Sequence, residues 1–295
     1  MKCPGILRYL CLCFLVLVLT APLPAQTDCD QGNGPLNSAQ PQSITPDQII
    51  QKFAAREAVF KEARNHYTYT QDVTVQTLEG NTADGELRET TDILYDDHGR
   101  RLEEVKFAPQ STLQRVLMTK EDYDDIRNRL PFVLTTEDIP GYNILYAGQQ
   151  TVDELETYVF DVAPKHVDKE GGKRYFQGRI WVDNRDFQIV KTCGKNVPDI
   201  HKKGNENLTP KFVTYREQID GEYWFPTYTR ADDVLRFSNG DVHIREIVKY
   251  TNYKRFGVKT RITYKGEVPE HKSEGSEHKG EGSEQPKPQP QQPQK

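Results

Sequence analysis

Apolar and polar residues alternate with a period of two through the middle of the chain. In residues 67–78 two tyrosines and two valines share one phase, and threonine, aspartate and glutamine side chains take the other. This pattern, rich in β-branched and aromatic residues, predicts a half-buried strand with one solvent face. Nine further segments predict strands on the same grounds: 87–95, 101–107, 142–150, 154–163, 173–182, 187–193, 211–219, 223–232 and 242–253.

Short polar turns separate several of these segments. They occupy residues 96–99, 183–186, 220–221 and 238–241 and consist mainly of Asp, Asn and Gly, which favour tight turns. Short connections of this kind join antiparallel neighbours. About ten strands exceed what a flat open sheet accommodates, so we predict a mainly β fold whose antiparallel sheet coils into a barrel or half-barrel.

Two helices are predicted beside the sheet. The first begins at residues 45–48, where Thr45 offers an N-cap hydroxyl, Pro46 takes the first helical position and Gln48 completes a capping box. A second helix is predicted over residues 119–130, capped by Thr119 and ended by Pro131. In the first helix an apolar stripe recurs at helical spacing and should pack on the sheet: Ile49, Ile50, Phe53, Ala54, Ala58, Val59 and Phe60.

The N-terminus is typical of an export signal. Lys2 and Arg8 precede an uncharged apolar run over residues 10–23, which is short for a membrane-spanning helix, and Ala25 precedes a polar stretch. We predict a signal peptide over residues 1–25 that is cleaved after Ala25; an uncleaved N-terminal anchor is the alternative. Cleavage implies a periplasmic protein with no stable membrane span.

The cysteine count is informative once this signal is removed. Three of the five cysteines leave with it, and Cys29 and Cys193 remain as an even pair in an oxidising compartment. A disulfide between them would staple the mature N-terminal arm to the sheet. The alternative is two unrelated thiols.

Composition divides the mature chain into three parts. We predict an irregular arm over residues 26–42 and a single domain over residues 43–265. From Gly266 onward there is no aromatic residue and one aliphatic residue, Val268, so burial cannot offset the entropy of ordering, and residues 266–295 are predicted to be a disordered tail. The tail is either a spacer toward peptidoglycan or a partner, or a passive solubilising segment.

Charge and motifs exclude several classes of function. Loss of Lys2 and Arg8 takes the formal net charge from −5 to about −7, and without a basic stripe the sequence does not fit a nucleic-acid binder. No spaced cysteines, His-Glu-x-x-His pair, P-loop or Gly-x-Ser-x-Gly elbow occurs. We therefore predict a protein that is not an enzyme and that uses no cofactor or metal.

Two acidic clusters contain residue types that also occur in catalytic or metal sites. The run Asp96-Asp97-His98 has the residue types of a metal or hydrolytic site, but its position between two strands favours a turn. The pair Asp232-Asp233 has the composition of paired catalytic carboxylates, and an exposed strand end is the simpler interpretation. Neither cluster brings a nucleophile, a base and an oxyanion donor together.

One apolar phase runs through the predicted strands and defines the candidate binding site. Its residues either pack as a core beneath the helices or enclose a cavity for an apolar ligand, and the sequence does not separate these possibilities. The candidate cavity residues are Tyr67, Tyr69, Val73, Val75, Ile93, Tyr95, Phe107, Phe160, Ile180, Val182, Phe187 and Ile189, with Val105 and Tyr158 in the same phase.

The order of these elements resembles the LolA/LolB-like outer-membrane lipoprotein-sorting superfamily of the bacterial periplasm. The capped helix is followed by the strand at 67–78, and GRIWVDNRDFQIVKT (178–192) and GEYWFPTYTR (221–230) are similar to the hairpin and the later strand of that superfamily. The similarity covers residues 45–254. It implies an unclosed barrel of about eleven strands, with helices on its concave side and an apolar cavity between them.

The resemblance and the apolar phase favour a periplasmic carrier that holds acyl chains of a lipid or lipoprotein. The alternative is an envelope sensor or structural module with a packed core, which acts through a protein partner. The space between the sheet and the helix at residues 47–64 distinguishes them, because a cavity of several hundred Å³ suits a ligand whereas a packed interface favours the module.

Overall fold

One long helix and twelve strands make up most of the regular structure. The structure is a computed structural model that describes residues 28–96, 100–120, 122–123, 132–168, 173–202 and 205–256. Helix α1 spans Pro46–Ala63, and short 3-10 helices cover Arg64–His66 and Ile139–Gly141. The strands are β1 (Tyr67–Glu79), β2 (Thr82–Tyr95), β3 (Arg101–Phe107), β4 (Tyr142–Val152), β5 (Leu155–Pro164), β6 (Tyr175–Asp183), β7 (Ile189–Val197), β8 (Ile200–Lys202), β9 (Asn205–Asn207), β10 (Phe212–Ile219), β11 (Tyr223–Phe237) and β12 (Gly240–Arg255).

Ten of these strands form one antiparallel sheet in the order β3-β2-β1-β12-β11-β10-β7-β6-β5-β4. β1 pairs with β2 on one side and with β12 on the other, so the first and last strands are neighbours inside the sheet. β3 and β4 lie at its two ends and do not pair with each other, so the sheet is unclosed within the described residues. The predicted class, mainly β with an antiparallel unclosed sheet, is confirmed, with ten strands where the resemblance implied about eleven.

Every strand predicted from the alternation is present in this sheet. The predicted bounds of β3 agree with the structure, and β11 runs on to Phe237 where the prediction ended at Asp232. The hairpin of β8 and β9 was not predicted. Each of its strands has three residues, which is too short for an alternation to be recognised.

The predicted capping box closes the N-terminus of α1. The Thr45 hydroxyl accepts a hydrogen bond from the Gln48 N–H at 3.3 Å, and the Gln48 side-chain oxygen accepts from the Thr45 N–H at 2.9 Å. Two donors that the first turn leaves unpaired are thereby satisfied. The predicted stripe is largely buried, except that Val59 is exposed, and the buried face of the helix also contains a charged residue that was not predicted, Glu57.

Only the first turn of the second predicted helix lies among the described residues. The Asp122 N–H donates to the Thr119 hydroxyl at 3.2 Å, and the Asp122 carboxylate accepts from the Thr119 N–H at 2.7 Å. This reciprocal pair is the cap that the sequence predicted. The rest of that helix lies outside the described residues, as do the predicted signal peptide (1–25), turn residues 97–99 and the predicted tail (266–295).

Hydrophobic cores lie on both faces of the sheet. The face against which α1 packs is called the helix face here, and the opposite one the outer face. Residues Phe160, Ile180 and Ile189 belong to a cluster beneath α1, whereas Trp181 belongs to a cluster on the outer face. The neighbours Ile180 and Trp181 serve different cores because successive strand residues point to opposite faces.

The N-terminal arm runs along the free edge of β4. Backbone bonds join Asn37 and Gln149 reciprocally at 2.8 Å, and the Gly34 N–H donates to the Thr151 carbonyl at 2.9 Å. The arm thereby covers part of an edge that would otherwise present unpaired backbone groups. At Gly148, with φ +149°, an added Cβ would lie 2.4 Å from the Asn37 carbonyl oxygen, so this close approach requires glycine.

Candidate functional site

The interface between α1 and the helix face is a packed core. Ile49, Phe53 and Ala54 are fully buried against the sheet, and the Phe53 and Phe160 rings lie 5.7 Å apart. Four predicted cavity residues are buried in this core and line none of the cavities described below: Phe160, Ile180, Val182 and Ile189. The space directly beneath the helix is therefore filled by side chains.

A buried ion pair crosses this interface. Arg216 Nη1 on β10 lies 3.1 Å from Glu57 Oε1 on α1, and each side chain is 1 % exposed. Arg216 also donates to the backbone carbonyl of Phe132. Burial raises the pKa of the Glu57 carboxyl, and the Arg216 guanidinium acts in the opposite direction. The pair thus ties the helix, the sheet and the segment at residue 132 to one another.

The predicted cavity residues of β1 belong to two other clusters. Val73 and Val75 lie in a second helix-face core formed with β2, β11 and β12, and Tyr69 packs against it. Tyr67 packs with Phe60 of α1 and with Phe225. Tyr67, Val73 and Val75 therefore have the phase that the sequence predicted, but they do not belong to one core cluster.

The prediction for Phe107 was wrong. Phe107 is 53 % exposed and Val105 is 48 % exposed, because β3 is an end strand and neither joins a core cluster of the described residues. On the neighbouring β2, Ile93 is fully buried and the Tyr95 ring stacks on Phe256 at 5.7 Å. The predicted cavity wall thus ends at β2.

An apolar cavity of about 390 Å³ lies between the helix face and residues 115–119. It is called the apolar cavity below. Its apolar lining comprises Val75, Val116, Leu117, Met118, Leu208, Leu235, Phe237 and Ile244. Leu117 is 89 % exposed, and of the twelve predicted cavity residues only Val75 contributes to the lining.

The segment that covers the apolar cavity is anchored to the first hairpin. The Arg115 guanidinium pairs with Asp84 at 2.5 Å and donates to the Leu78 carbonyl at 3.2 Å. The Gln114 N–H donates to the Thr77 hydroxyl at 3.1 Å. These bonds hold the N-terminal end of the segment on the sheet, and residues 116–118, which follow it, line the cavity.

A second cavity of about 510 Å³ has a different character and is called the basic cavity. It lies between the C-terminal half of α1, the segment at 132–142 and strands β6, β7 and β10. Its walls are aromatic, and the Phe132 and Phe176 rings stack at 4.4 Å. Four basic side chains also line it: Lys61, Lys173, Arg174 and Arg216.

A third, shallower depression lies at the N-terminal end of α1. The predicted residue Phe187 lines it together with Tyr158, and their rings stack at 6.4 Å. The Lys52 ammonium lies 4.4 Å above the Phe187 ring, which is within cation–π range.

The outer face carries the N-terminal arm and a disulfide. Cys29 and Cys193 are bonded, with Cα atoms 5.5 Å apart. The Lys191 ammonium donates to the Asn33 side-chain oxygen at 2.8 Å and lies 4.9 Å from the Trp181 ring centroid. Lys191 is fully buried, and this desolvation lowers its pKa to about 8.

The interpretation of Asp232-Asp233 as an exposed strand end was wrong. Both residues lie within β11, where they point to opposite faces and cannot act as paired carboxylates. Asp232 is buried and accepts hydrogen bonds from His243 Nε2 at 2.5 Å and from Arg245 Nε at 3.0 Å. Asp233 accepts from the Lys211 N–H at 3.0 Å. Their contacts are structural links between β10, β11 and β12.

Asp96 makes a contact typical of a turn. The Asp96 carboxylate accepts from the Arg100 N–H at 2.8 Å, as expected of a turn; Asp97 and His98 lie outside the described residues. Among the residues that the structure places, no three His, Cys, Asp or Glu side chains are grouped to hold a metal ion. None of the helices it describes has the length and apolar character needed to cross a membrane.

Several residues of these sites were not found from the sequence. Arg216 and Glu57 are 159 residues apart, and no local pattern links them, although a charge within an apolar helical stripe was a detectable signal. Lys191 stands in the apolar strand QIVKTC, which was a comparable signal. Residues 115–118 have no regular period, so their part in the cavity had no signature.

The fold and its cavities define a class of protein: a mainly β chain with an unclosed antiparallel sheet, a helix packed on one face and two partly open cavities beside it. No family model and no curated protein matches this chain.

Three solved structures are similar to this chain. A DUF1329 family protein from Desulfovibrio piger is 13% identical with a TM-score of 0.40, and the match covers 74% of this chain and 95% of that one. A LolA superfamily protein from Nitrosomonas europaea is 14% identical with a TM-score of 0.33, over 69% and 94%. An outer membrane lipoprotein-sorting protein domain from Vibrio parahaemolyticus is 12% identical with a TM-score of 0.32, over 71% and 93%. At these values the likenesses carry no information on function.

Proposed function

We propose that the protein is a periplasmic, non-catalytic carrier that holds an acyl chain of a lipid or lipoprotein in the apolar cavity. The observation that carries this proposal is the cavity of about 390 Å³ with eight apolar side chains in its lining. Its volume lies within the range of small-molecule sites, roughly 300–1,000 Å³. Each methylene removed from water there contributes about 0.8 kcal/mol to binding.

The mouth of the cavity supports an apolar ligand that enters from outside. Leu117, in the middle of the covering segment, is 89 % exposed. Val116 and Met118, on either side of it, face the same cavity. Residues 116–118 thus offer an apolar surface to a chain that enters beneath them, and the Met118 side chain adapts well to ligands of different shape.

The disulfide supports the proposed location. A bond between Cys29 and Cys193 persists in oxidising compartments and is rare in the cytosol. It agrees with export through the signal peptide proposed for residues 1–25, after which the arm from residue 26 would be the start of the mature chain.

A second candidate function rests on the packed interface beneath α1. A filled core suits a structural or sensor module that acts through a protein partner in the envelope. The apolar residues exposed on β3, namely Leu102, Val105 and Phe107, support this candidate because an end strand with apolar side chains is a surface for pairing with an extended peptide.

Ligand extraction and a matched pair of variants test the primary proposal. Protein purified from cells is extracted and its lipids are identified by mass spectrometry, and binding of a fluorescent fatty acid is titrated. Val116→Asp with Leu117→Asp should abolish fatty-acid binding, because two carboxylates would replace apolar side chains of a lining that already contains Asp122, Glu206 and Glu246. Val59→Asp with Leu145→Asp places the same charges on exposed apolar positions elsewhere and should bind like the wild type. If the purified protein contains no lipid on extraction and does not bind fatty acids, the carrier proposal is refuted and the structural or sensor module remains.

A further inference from the structure

We propose that the basic cavity is a separate binding site for the oxyanion head group, phosphate or carboxylate, of an amphiphile whose apolar body lies against the aromatic walls. The site differs from the apolar cavity in location, charge and lining. Its lining has no residue in common with the lining of the apolar cavity. The proposal of an anion site therefore does not depend on acyl-chain binding in the apolar cavity.

Positive charge is concentrated in this cavity although the chain as a whole is acidic. Lys61 comes from α1, Lys173 and Arg174 precede β6, and Arg216 comes from β10, so three distant parts of the sequence bring cations to one space. The chain has a formal net charge of −5. Convergence of like charges costs energy by mutual repulsion, and an anion in their midst relieves it.

Two of the four cations are held in fixed positions. Arg174 donates to the Pro198 carbonyl and to the Asn207 side-chain oxygen, and Arg216 is held by Glu57 and by the Phe132 carbonyl. These contacts set the positions of the two guanidinium groups in the wall of the cavity.

The two lysines supply the adjustable charge. The Lys173 ammonium lies 5.0 Å from the centroid of the Tyr175 ring, at the margin of the cavity. Lys61 lies in the last turn of α1. Flexible ammonium groups at a rim can close on a head group after it has entered.

Acidic residues in the lining leave the excess of positive charge in place. Asp138 lines the cavity, but its carboxylate accepts from the Thr135 N–H at 3.0 Å and from the Thr135 hydroxyl at 2.7 Å, which directs it into its own turn. Glu137 is exposed. Glu57 does not line the cavity but neutralises Arg216, so the excess rests on Lys61, Lys173 and Arg174 against the two acidic residues of the lining.

The floor adds hydrogen-bond donors. Thr192 and Thr214 line the cavity although they are only 2 % and 8 % exposed, respectively. The Thr214 hydroxyl shares a bond of 2.8 Å with Thr229, and Asn196 lies in the same lining. Hydroxyl and amide donors on a buried floor, below a rim of cations, are the groups that recognise oxyanions.

The aromatic walls explain why the ligand has an apolar body. Phe132 and Phe176 stack at 4.4 Å, and the Phe176 and Phe212 rings lie 6.0 Å apart. All three line the cavity. A free phosphate ion would gain nothing from these walls, whereas the chain of an amphiphile would be desolvated against them.

Titration with probes of matched chain length tests the site. Binding of dodecyl phosphate, dodecanoate and uncharged dodecyl maltoside to the purified protein is measured by calorimetry at low and high ionic strength. We expect an anionic probe to bind about tenfold more tightly than the maltoside at low ionic strength, and this advantage should shrink at high ionic strength because salt screens the lysines. Equal affinities for the three probes would overturn the proposal.

A matched pair of variants locates the effect. Lys61→Gln with Lys173→Gln should weaken binding of the anionic probe about five- to tenfold, whereas Lys249→Gln with Lys254→Gln, which removes the same charge from exposed positions outside the cavity, should change it less than about twofold. Thermal unfolding of both variants checks that they fold. An equal loss of affinity in the two variants would mean that the overall charge of the protein, and not the basic cavity, determines binding of the anionic probe. That result would refute the site.

Two further arms separate the ligand source and the two proposals. Inorganic phosphate that binds as tightly as dodecyl phosphate would identify the free ion as the ligand and overturn the role of the apolar body. The Val116→Asp, Leu117→Asp variant should retain the preference for the anionic probe, since its changes lie in the apolar cavity. If that variant lost the preference, the anionic probe would be binding in the apolar cavity and the separate site would be refuted.

Discussion

Glu57 Oε1 on α1 and Arg216 Nη1 on β10 lie 3.1 Å apart in a contact from which solvent is excluded, each side chain being 1 % exposed. This pair makes the position of the helix on the sheet specific. Apolar packing of Phe53 and its neighbours tolerates small shifts along the sheet, whereas two buried charges must meet.

Arg216→Met should destabilise the protein by about 3–5 kcal/mol, because Glu57 would remain buried without its partner. The loss should become smaller as pH falls, since burial already raises the pKa of Glu57 and its protonated form is neutral. Urea unfolding at several pH values measures both effects.

Replacing both partners provides the control for this prediction. Glu57→Leu with Arg216→Met should lie within about 1–2 kcal/mol of the wild type, because packed apolar residues substitute well for a buried pair. Glu222→Gln, which breaks the exposed pair with Arg255, should cost less than about 1 kcal/mol. A loss for Arg216→Met as small as that for Glu222→Gln would show that the pair does not fix the helix.

Lys191 should give the protein an alkaline rise in stability. Burial lowers its folded-state pKa to about 8 from an ordinary value of 10.5. Between these values the unfolded chain binds more protons than the folded one, so the free energy of unfolding increases as pH rises through this window. The full change is on the order of 3 kcal/mol.

Comparison with Lys191→Met isolates this contribution from other groups that titrate at high pH. The difference in free energy of unfolding between wild type and variant should move in favour of the wild type from pH 7.5 to pH 10.5, by about 3 kcal/mol. Lys249→Met, at an exposed position, should show no such change. A difference that is constant with pH would mean that Lys191 titrates normally.

The disulfide should stabilise the fold through the arm. Cys29 and Cys193 are separated by 164 residues, and removing a native disulfide typically costs about 2–5 kcal/mol. Cys29→Ser with Cys193→Ser should therefore lower the free energy of unfolding by that amount. Unfolding of the wild type with and without a reductant should show the same difference.

Hydrogen exchange locates the effect of that change. The Gln149 N–H donates to the Asn37 carbonyl and should exchange faster when the arm is released, whereas the N–H groups paired between β1 and β12 should keep their protection. Uniform acceleration across the sheet would show that the disulfide supports the whole fold and not the arm alone.

Most of the fold was predictable from local patterns. The alternation in β1 and the capping residues Thr45 and Gln48 act within a few residues, and each produced the expected element. End strands were harder to interpret, because Phe107 has the same phase as buried residues but is 53 % exposed. The alternation predicts which residues point to the same face of the sheet, but it does not predict whether another element packs on that face.

The sites were less predictable because they depend on contacts between distant segments. The predicted cavity residues Ile180 and Ile189 lie in a packed core because α1 covers them. The apolar cavity is formed in part by the irregular segment around Leu117, in which apolar residues do not recur with a regular period. The position of such a segment is set by a few bonds, such as Arg115 to Asp84, that no sequence pattern announces.

The most direct test of the central claim is a paramagnetic relaxation measurement with a spin-labelled fatty acid on methyl-labelled protein. The acyl-chain proposal predicts strong, saturable broadening of the methyl signals of Leu208, Leu235 and Ile244, which line the apolar cavity. Signals of Ile180 and Ile189 in the packed core beneath α1 should be much less affected. Equal broadening at all methyl groups, or none at the three cavity residues, would contradict the proposal.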